Sequence, residues 1–159
     1  VHEGSRWGVD RWRSAASMYL LDAGAGGRAF FAGDTALTDD THRLVEREVH
    51  ARGAALDVAL LPIGHAPAWK ARAFRAGHLT ADDALALLAR LDARWLVPYH
   101  WGTFNHLTSG AHDAIARLRA RLAAPDAPAH AGRVRVLEPG ETLAVPVARA
   151  SGHDGTTTA

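Results

Sequence analysis

Two short apolar runs with a capped helical pattern between them restrict the folds open to this sequence more than any other feature. Asp-Val-Ala-Leu-Leu-Pro at 57–62 and Arg-Trp-Leu-Val-Pro at 94–98 are uninterrupted in the way expected of strands buried on both faces. Between them, Thr80 and Asp83 stand at capping-box spacing, with Asp in place of Glu. Ala84, Leu87, Leu88 and Leu91 then recur at i, i+3, i+4 and i+7, which puts them on one helix face. The flanking sequence repeats this alternation. Residues 17–21 and 28–32 are strand-like, and Ala-Gly-Ala-Gly-Gly at 23–27 suits a hairpin turn between them. A helix is expected from about 38 to 52, with Leu44, Val45 and Val49 on one side. Another follows Ser109, with Ala111, Ile115, Leu118 and Leu122 facing inward, and 133–137 and 142–147 read as closing strands around Pro139-Gly140. Strands alternating with helices predict a layered α/β domain.

Composition excludes several functions. The 159 residues fit one domain, and 18 Lys+Arg against 17 Asp+Glu leave a charge of +1, without the basic footprint of a nucleic-acid binder. No apolar run approaches the roughly 18–20 residues that span a bilayer, so no transmembrane segment is expected. The absence of cysteine removes disulfides, thiolate metal sites and a cysteine nucleophile. No G-x-G-x-x-G or G-x-x-x-x-G-K-[ST] string opens a helix, which argues against a nucleotide-binding module. Residues 149–159 are small and polar and read as a disordered tail, leaving 1–148 as the domain. Ten histidines are the compositional oddity, and their positions must say what they do.

Three strings place a metal-ligand residue type just beyond an apolar strand. In Phe-Phe-Ala-Gly-Asp-Thr at 30–35, the glycine permits a tight turn before Asp34. A carboxylate at a strand end can bridge two cations, and it can equally close a turn or cap a helix. His100 follows the 94–98 run and is ringed by Tyr99, Trp101 and Phe104, a shell that would orient an imidazole around a metal. A core histidine bonded to a backbone carbonyl would have the same neighbours. His78 precedes the capped helix, whose N-terminus attracts anions and favours a neutral imidazole. His65, after the 57–62 run, reads as a plain loop residue.

Taken in order, Phe-Ala-Gly-Asp-Thr (31–35), Asp-Val-Ala-Leu-Leu-Pro-Ile-Gly (57–64), Gly-His-Leu-Thr-Ala-Asp-Asp-Ala (77–84) and Val-Pro-Tyr-His-Trp-Gly-Thr-Phe (97–104) resemble the metallo-β-lactamase superfamily. The nearer likeness is to the branch of ascorbate-6-phosphate lactonase and N-acylphosphatidylethanolamine phospholipase D, and it runs from His2 to about Glu141. The resemblance implies that Asp34 bridges two metals, that His100 is a ligand of the second, and that His2 is a histidine of the first. His78 matches a group near the substrate, placed on the same rim but farther out, in contact with substrate or aiding proton transfer. The family's His-x-His-x-Asp-His motif is absent, and in the family it lies upstream. The chain, which opens at Val1, is therefore expected to be the C-terminal half of an αββα sandwich within a longer protein.

The implied function is that of a metal-dependent hydrolase with two divalent ions, zinc foremost and manganese or iron as alternatives. These ions would lower the pKa of bound water to about 7 for attack on an ester, lactone or phosphodiester-type bond of a small molecule. A non-catalytic remnant or a partner-dependent subunit of the same fold is the alternative. Four structural expectations follow. The side chains of His2, Asp34 and His100 should converge on one edge of the sheet. His42, His50, His112, His130 and His153 should lie elsewhere and largely exposed. Apolar area should be exposed on the inner face of the half sandwich, and the location should be cytoplasmic.

Overall fold

The structure is a computed structural model that describes residues 17–64, 77–103, 105 and 110–145. Four strands form one mixed sheet in the order β1-β2-β3-β4: β1 Tyr19–Asp22, β2 Arg28–Phe31, β3 Val58–Pro62 and β4 Trp95–Tyr99. β1 and β2 form an antiparallel hairpin around a single 3₁₀ turn at Gly24–Gly26, whereas β2, β3 and β4 run parallel. Parallel neighbours need crossovers, and helices supply them. α1 (Asp39–Glu48) links β2 to β3, α2 (Ala81–Leu91) lies between β3 and β4, and α3 (Asp113–Ala123) follows β4.

The register sorts the strands' side chains into rows. Leu20, Phe30, Ala59 and Leu96 face each other across the four strands, and of these Phe30, Ala59 and Leu96 are fully buried. They pack in one core with Val45 and Val49 at the end of α1, Leu87, Leu88 and Leu91 of α2, and Ile115 and Leu118 of α3. The capping box is present in full: Asp83 N donates to Thr80 Oγ1 at 3.2 Å and Thr80 N donates to Asp83 Oδ2 at 3.0 Å. It starts α2 at the residue that turns Ala84, Leu87, Leu88 and Leu91 onto the sheet. Asp39 and Asp40 place negative charge on the positive end of α1.

The alternate residues form two further rows, Tyr19-Phe31-Leu60-Val97 and Leu21-Ala29-Val58-Trp95, on the opposite face. None of these eight is buried, and Tyr19 and Leu21 are 56% and 60% exposed. This corrects the expectation that 57–62 and 94–98 are buried on both faces. From Val58 to Leu61 and along β4 burial alternates with the side-chain period of a strand, so among the described residues the helices seal one side only. An apolar run is necessary for a doubly covered strand and does not ensure one.

The closing strands are a second correction. Among the described residues, 133–137 adds only an isolated bridge, Val134 beside Leu96, and 142–145 forms no strand. Arg135 N donates to Leu96 O at 2.8 Å, and the Arg135 guanidinium then lies over the Trp95 ring, 3.9 Å from its centroid. Farther on, the backbone is satisfied locally: Glu141 N donates to Glu138 O at 2.9 Å and Glu138 N to Glu141 Oε2 at 2.8 Å. Groups already bonded around Pro139-Gly140 cannot also extend a ladder. Residues 146 and 147, and the tail at 149–159, lie outside the described residues. Among the described residues no helix is long and apolar enough to cross a membrane.

Candidate metal centre

The carboxyl ends of β2, β3 and β4 sit side by side, the position at which open parallel sheets bind ligands. Ala32 N donates to Leu60 O at 3.1 Å, and Ile63 N donates to Tyr99 O at 3.0 Å, so the pairing continues past the strands and holds the three exits together. The chain leaves β2 through Gly33 at φ +66°, where an added Cβ would lie 2.7 Å from Ser17 O. Only glycine fits there, and it turns Asp34 toward the neighbouring exits.

Asp34 meets two imidazoles. Its Oδ2 lies 3.4 Å from His78 Nε2, and its Oδ1 lies 3.9 Å from His100 Nδ1. His100 follows β4 directly and adopts φ +66°, a left-handed conformation that costs a non-glycine residue about 1–3 kcal/mol and tends to collect at functional sites. Gly64 at the end of β3 lies beneath it, since a Cβ there would stand 3.8 Å from His100 Nδ1. His78 arrives from the turn before α2 and is the most enclosed of the three, with its side chain 20% exposed against 41% for Asp34 and 40% for His100. It is thus closer to Asp34 than His100 is, which corrects its expected place farther out on the rim. The capping box explains this, because it fixes the helix start two residues beyond His78 and draws the turn in over the sheet edge.

Tyr99 ties the site together in a way that sequence reasoning missed. Read as part of the shell around His100, it instead reaches across the end of β3, and its Oη donates to Gly33 O. Its ring stacks on Phe31 with centroids 5.0 Å apart and planes 19° from parallel. Burial, and secondarily the negative charge of Asp34, push the phenol well above the usual tyrosine range. No local signal in the sequence marks a partner 66 residues away. Trp101 turns away from Asp34: its Nε1 donates to Pro98 O at 3.3 Å and its ring meets the edge of His112 at 5.9 Å. Beyond His100 a cavity of about 420 Å³ is lined by Pro98, Trp101, Leu137 and Pro139 together with His112 and Glu138.

The remaining histidines divide unevenly. His112 is exposed, as expected. His42, His50 and His130 are half-buried, which corrects the expectation of exposure. His50 Nε2 lies 2.9 Å from Leu91 O, so this ring joins the end of α1 to the end of α2. His2, His65, Phe104 and His153 lie outside the described residues.

Do these side chains suit a divalent ion? Carboxylate and imidazole are the donors zinc takes in the absence of thiolates, and two donors on one tetrahedral zinc stand about 3.3 Å apart. Asp34 Oδ1 and His100 Nδ1, the described pair assigned to metal, stand 3.9 Å apart, somewhat wider than that value. The donor chemistry therefore fits, but the set is short: among the described residues no group of three His, Asp or Glu is spaced to hold a metal by itself.

Comparison with known proteins identifies the family. The family described as a beta-lactamase superfamily domain matches residues 1–101. A protein of Nitratidesulfovibrio vulgaris named UPF0173 metal-dependent hydrolase is 35% identical over 129 residues, 79% of this chain and 43% of that protein. One of the same name from Deinococcus radiodurans is 34% identical over 119 residues, 74% of this chain and 40% of its own length. This chain thus spans less than half the length of these curated relatives. Among solved structures, a metallo hydrolase from the hyperthermophilic archaeon Ignicoccus hospitalis is similar at 26% identity and a TM-score of 0.46, over 74% of this chain and 41% of that one.

Proposed function

We propose, from the premise that the chain belongs to the beta-lactamase superfamily domain family, that it carries part of the active site of a metal-dependent hydrolase. The observation that supports this reading is the Asp34 carboxylate flanked by His78 and His100 at the exits of three parallel strands. In this reading Asp34, His100 and His2 would hold two divalent ions, zinc first among the candidates. The ligands still missing come from a second layer packed on the open apolar face. Bound metal would supply Lewis-acid polarisation of the scissile bond and a water acidic enough to ionise near neutral pH.

The chain's own residues prepare the site. Asp34 sets a carboxylate between the two imidazoles, a donor arrangement suited to a cation. His78, at the N-terminus of α2, presents its Nε2 beside Asp34 and can contact substrate or move a proton at that nitrogen. His100 is held in a strained backbone conformation with its ring over Gly64, so its nitrogen is oriented before any ligand arrives. The bond attacked is of ester, lactone or phosphodiester type in a small molecule.

The test measures metal content by elemental analysis beside hydrolysis of p-nitrophenyl acetate and bis-p-nitrophenyl phosphate. It compares this chain, a chain extended to the length of the relatives, and Asp34→Ala in each. The expected result is weak metal binding and little turnover in the short chain, metal with turnover in the extended one, and loss of both with Asp34→Ala. An extended protein that holds its metal and its activity without the Asp34 carboxylate refutes the assignment. An extended protein without metal or turnover favours the non-catalytic reading.

A further inference from the structure

We propose that Tyr99 is a positioning residue whose hydroxyl fixes the Gly33-Asp34 turn against the end of β4 and thereby sets the spacing between Asp34 and His100. The inference rests on the metal-site reading of those two residues and concerns a group to which that reading gives no role.

The geometry carries it in three steps. Tyr99 and His100 are consecutive, so whatever anchors the phenol also anchors the backbone from which His100 projects. The phenol spans the end of β3: Tyr99 pairs with Pro62 in the ladder, while its Oη donates to Gly33 O beyond the end of β2. The loop that receives this bond has no side chain at Gly33 and, past the Ala32-to-Leu60 hydrogen bond, leaves the ladder. One hydroxyl thus connects the backbone beside Asp34 to the backbone beside His100. The ring is held in turn by its stack on Phe31. Two half-buried aromatics on the open sheet face form a bracket under the site, and the hydroxyl is its one polar tip.

Removing the hydroxyl while keeping the ring isolates this role. Tyr99→Phe preserves the stack on Phe31, and Tyr19→Phe, which alters the other tyrosine of the same sheet face, is the control. Two readouts are made on the whole chain. The first is NMR order parameters of the metal-free protein: in Tyr99→Phe, Gly33 and Asp34 should fall from the rigid range near ~0.85 toward ~0.6, while α2 keeps its values. The second is zinc affinity by chelator competition, expected to weaken about 10–100-fold in Tyr99→Phe and to stay unchanged in Tyr19→Phe. Unchanged order parameters at Gly33 and Asp34 overturn the proposal. So does equal loosening throughout the chain, which would mark a merely structural tyrosine, or a loosened loop with wild-type zinc affinity. If the protein extended to the length of the relatives binds no zinc, or binds it as tightly with Asp34→Ala, the metal reading fails by itself, and the order parameters alone decide whether Tyr99 positions the turn.

Discussion

Substituting Gly33 with alanine should damage this protein more than the same change at any open turn glycine, and the structure allows the excess to be worked out. Two costs combine there. The first is conformational: Gly33 sits at φ +66°, where an L-residue is disfavoured by about 1–2 kcal/mol. The second is steric. The new Cβ would stand 2.7 Å from Ser17 O, whereas an ordinary contact begins at 3.4 Å, so the two backbones must separate by about 0.7 Å (3.4 − 2.7). The obstructing atom is a main-chain carbonyl on the approach to β1, so no side-chain rotation relieves it, and overpacking of this kind costs about 1–3 kcal/mol. The sum is about 2–5 kcal/mol. Gly53 provides the reference, because it has φ +70° with nothing within 4 Å of a built Cβ. Gly53→Ala should therefore show the conformational cost alone, about 1–2 kcal/mol. Urea unfolding of both variants and wild type, compared at unchanged m, separates the two terms. Because Gly33 O also accepts the Tyr99 hydroxyl, Gly33→Ala should loosen the Asp34 turn as well. Equal losses for the two variants would show that the close approach to Ser17 does not exist in solution, and the account of why glycine stands before Asp34 would fail.

Thr80→Ala removes the side-chain half of the capping box and should lower stability by about 1 kcal/mol in urea unfolding; Thr80→Ser should restore most of it, and a silent Thr80→Ala would refute the cap's contribution. Tyr99 should ionise late. In a Tyr19→Phe background it is the only tyrosine, since the chain has two, and its ultraviolet tyrosinate absorbance should rise with a midpoint above the ordinary value of about 10. Because folding favours the protonated phenol, its contribution to stability is fully present below the ordinary tyrosine pKa and is lost as pH rises from there toward the raised folded value. Tyr99→Phe should flatten that alkaline loss, and titration at the ordinary value would contradict the burial described here.

Local pattern determined a good deal of this protein. The strand at 57–62, the helix begun by Thr80 and Asp83, and the inward face of Ala84, Leu87, Leu88 and Leu91 rest on contacts within a few residues, so they were legible without a fold. The same holds for Asp34 and His100 as candidates, because a ligand type beyond an apolar strand is itself a local arrangement. Other features depended on distant partners. Whether β3 and β4 are covered on one face or both is set by which layers pack on the sheet, and an apolar run looks alike in either case. The segment 133–137 resembled a strand, yet among the described residues only Val134 reaches the sheet, as an isolated bridge beside Leu96. His50 looked like a surface residue until Leu91, 41 positions along, supplied a carbonyl. Tyr99 read as a neighbour of His100, and only the alignment of β2, β3 and β4 brought its hydroxyl to Gly33. Sequence by itself therefore determined which elements form and which side chains carry donor chemistry, because both arise from short-range sterics, periodicity and residue type. Tertiary structure decided how those donors are spaced and which face of the sheet stays open, since each depends on contacts between segments far apart in the chain.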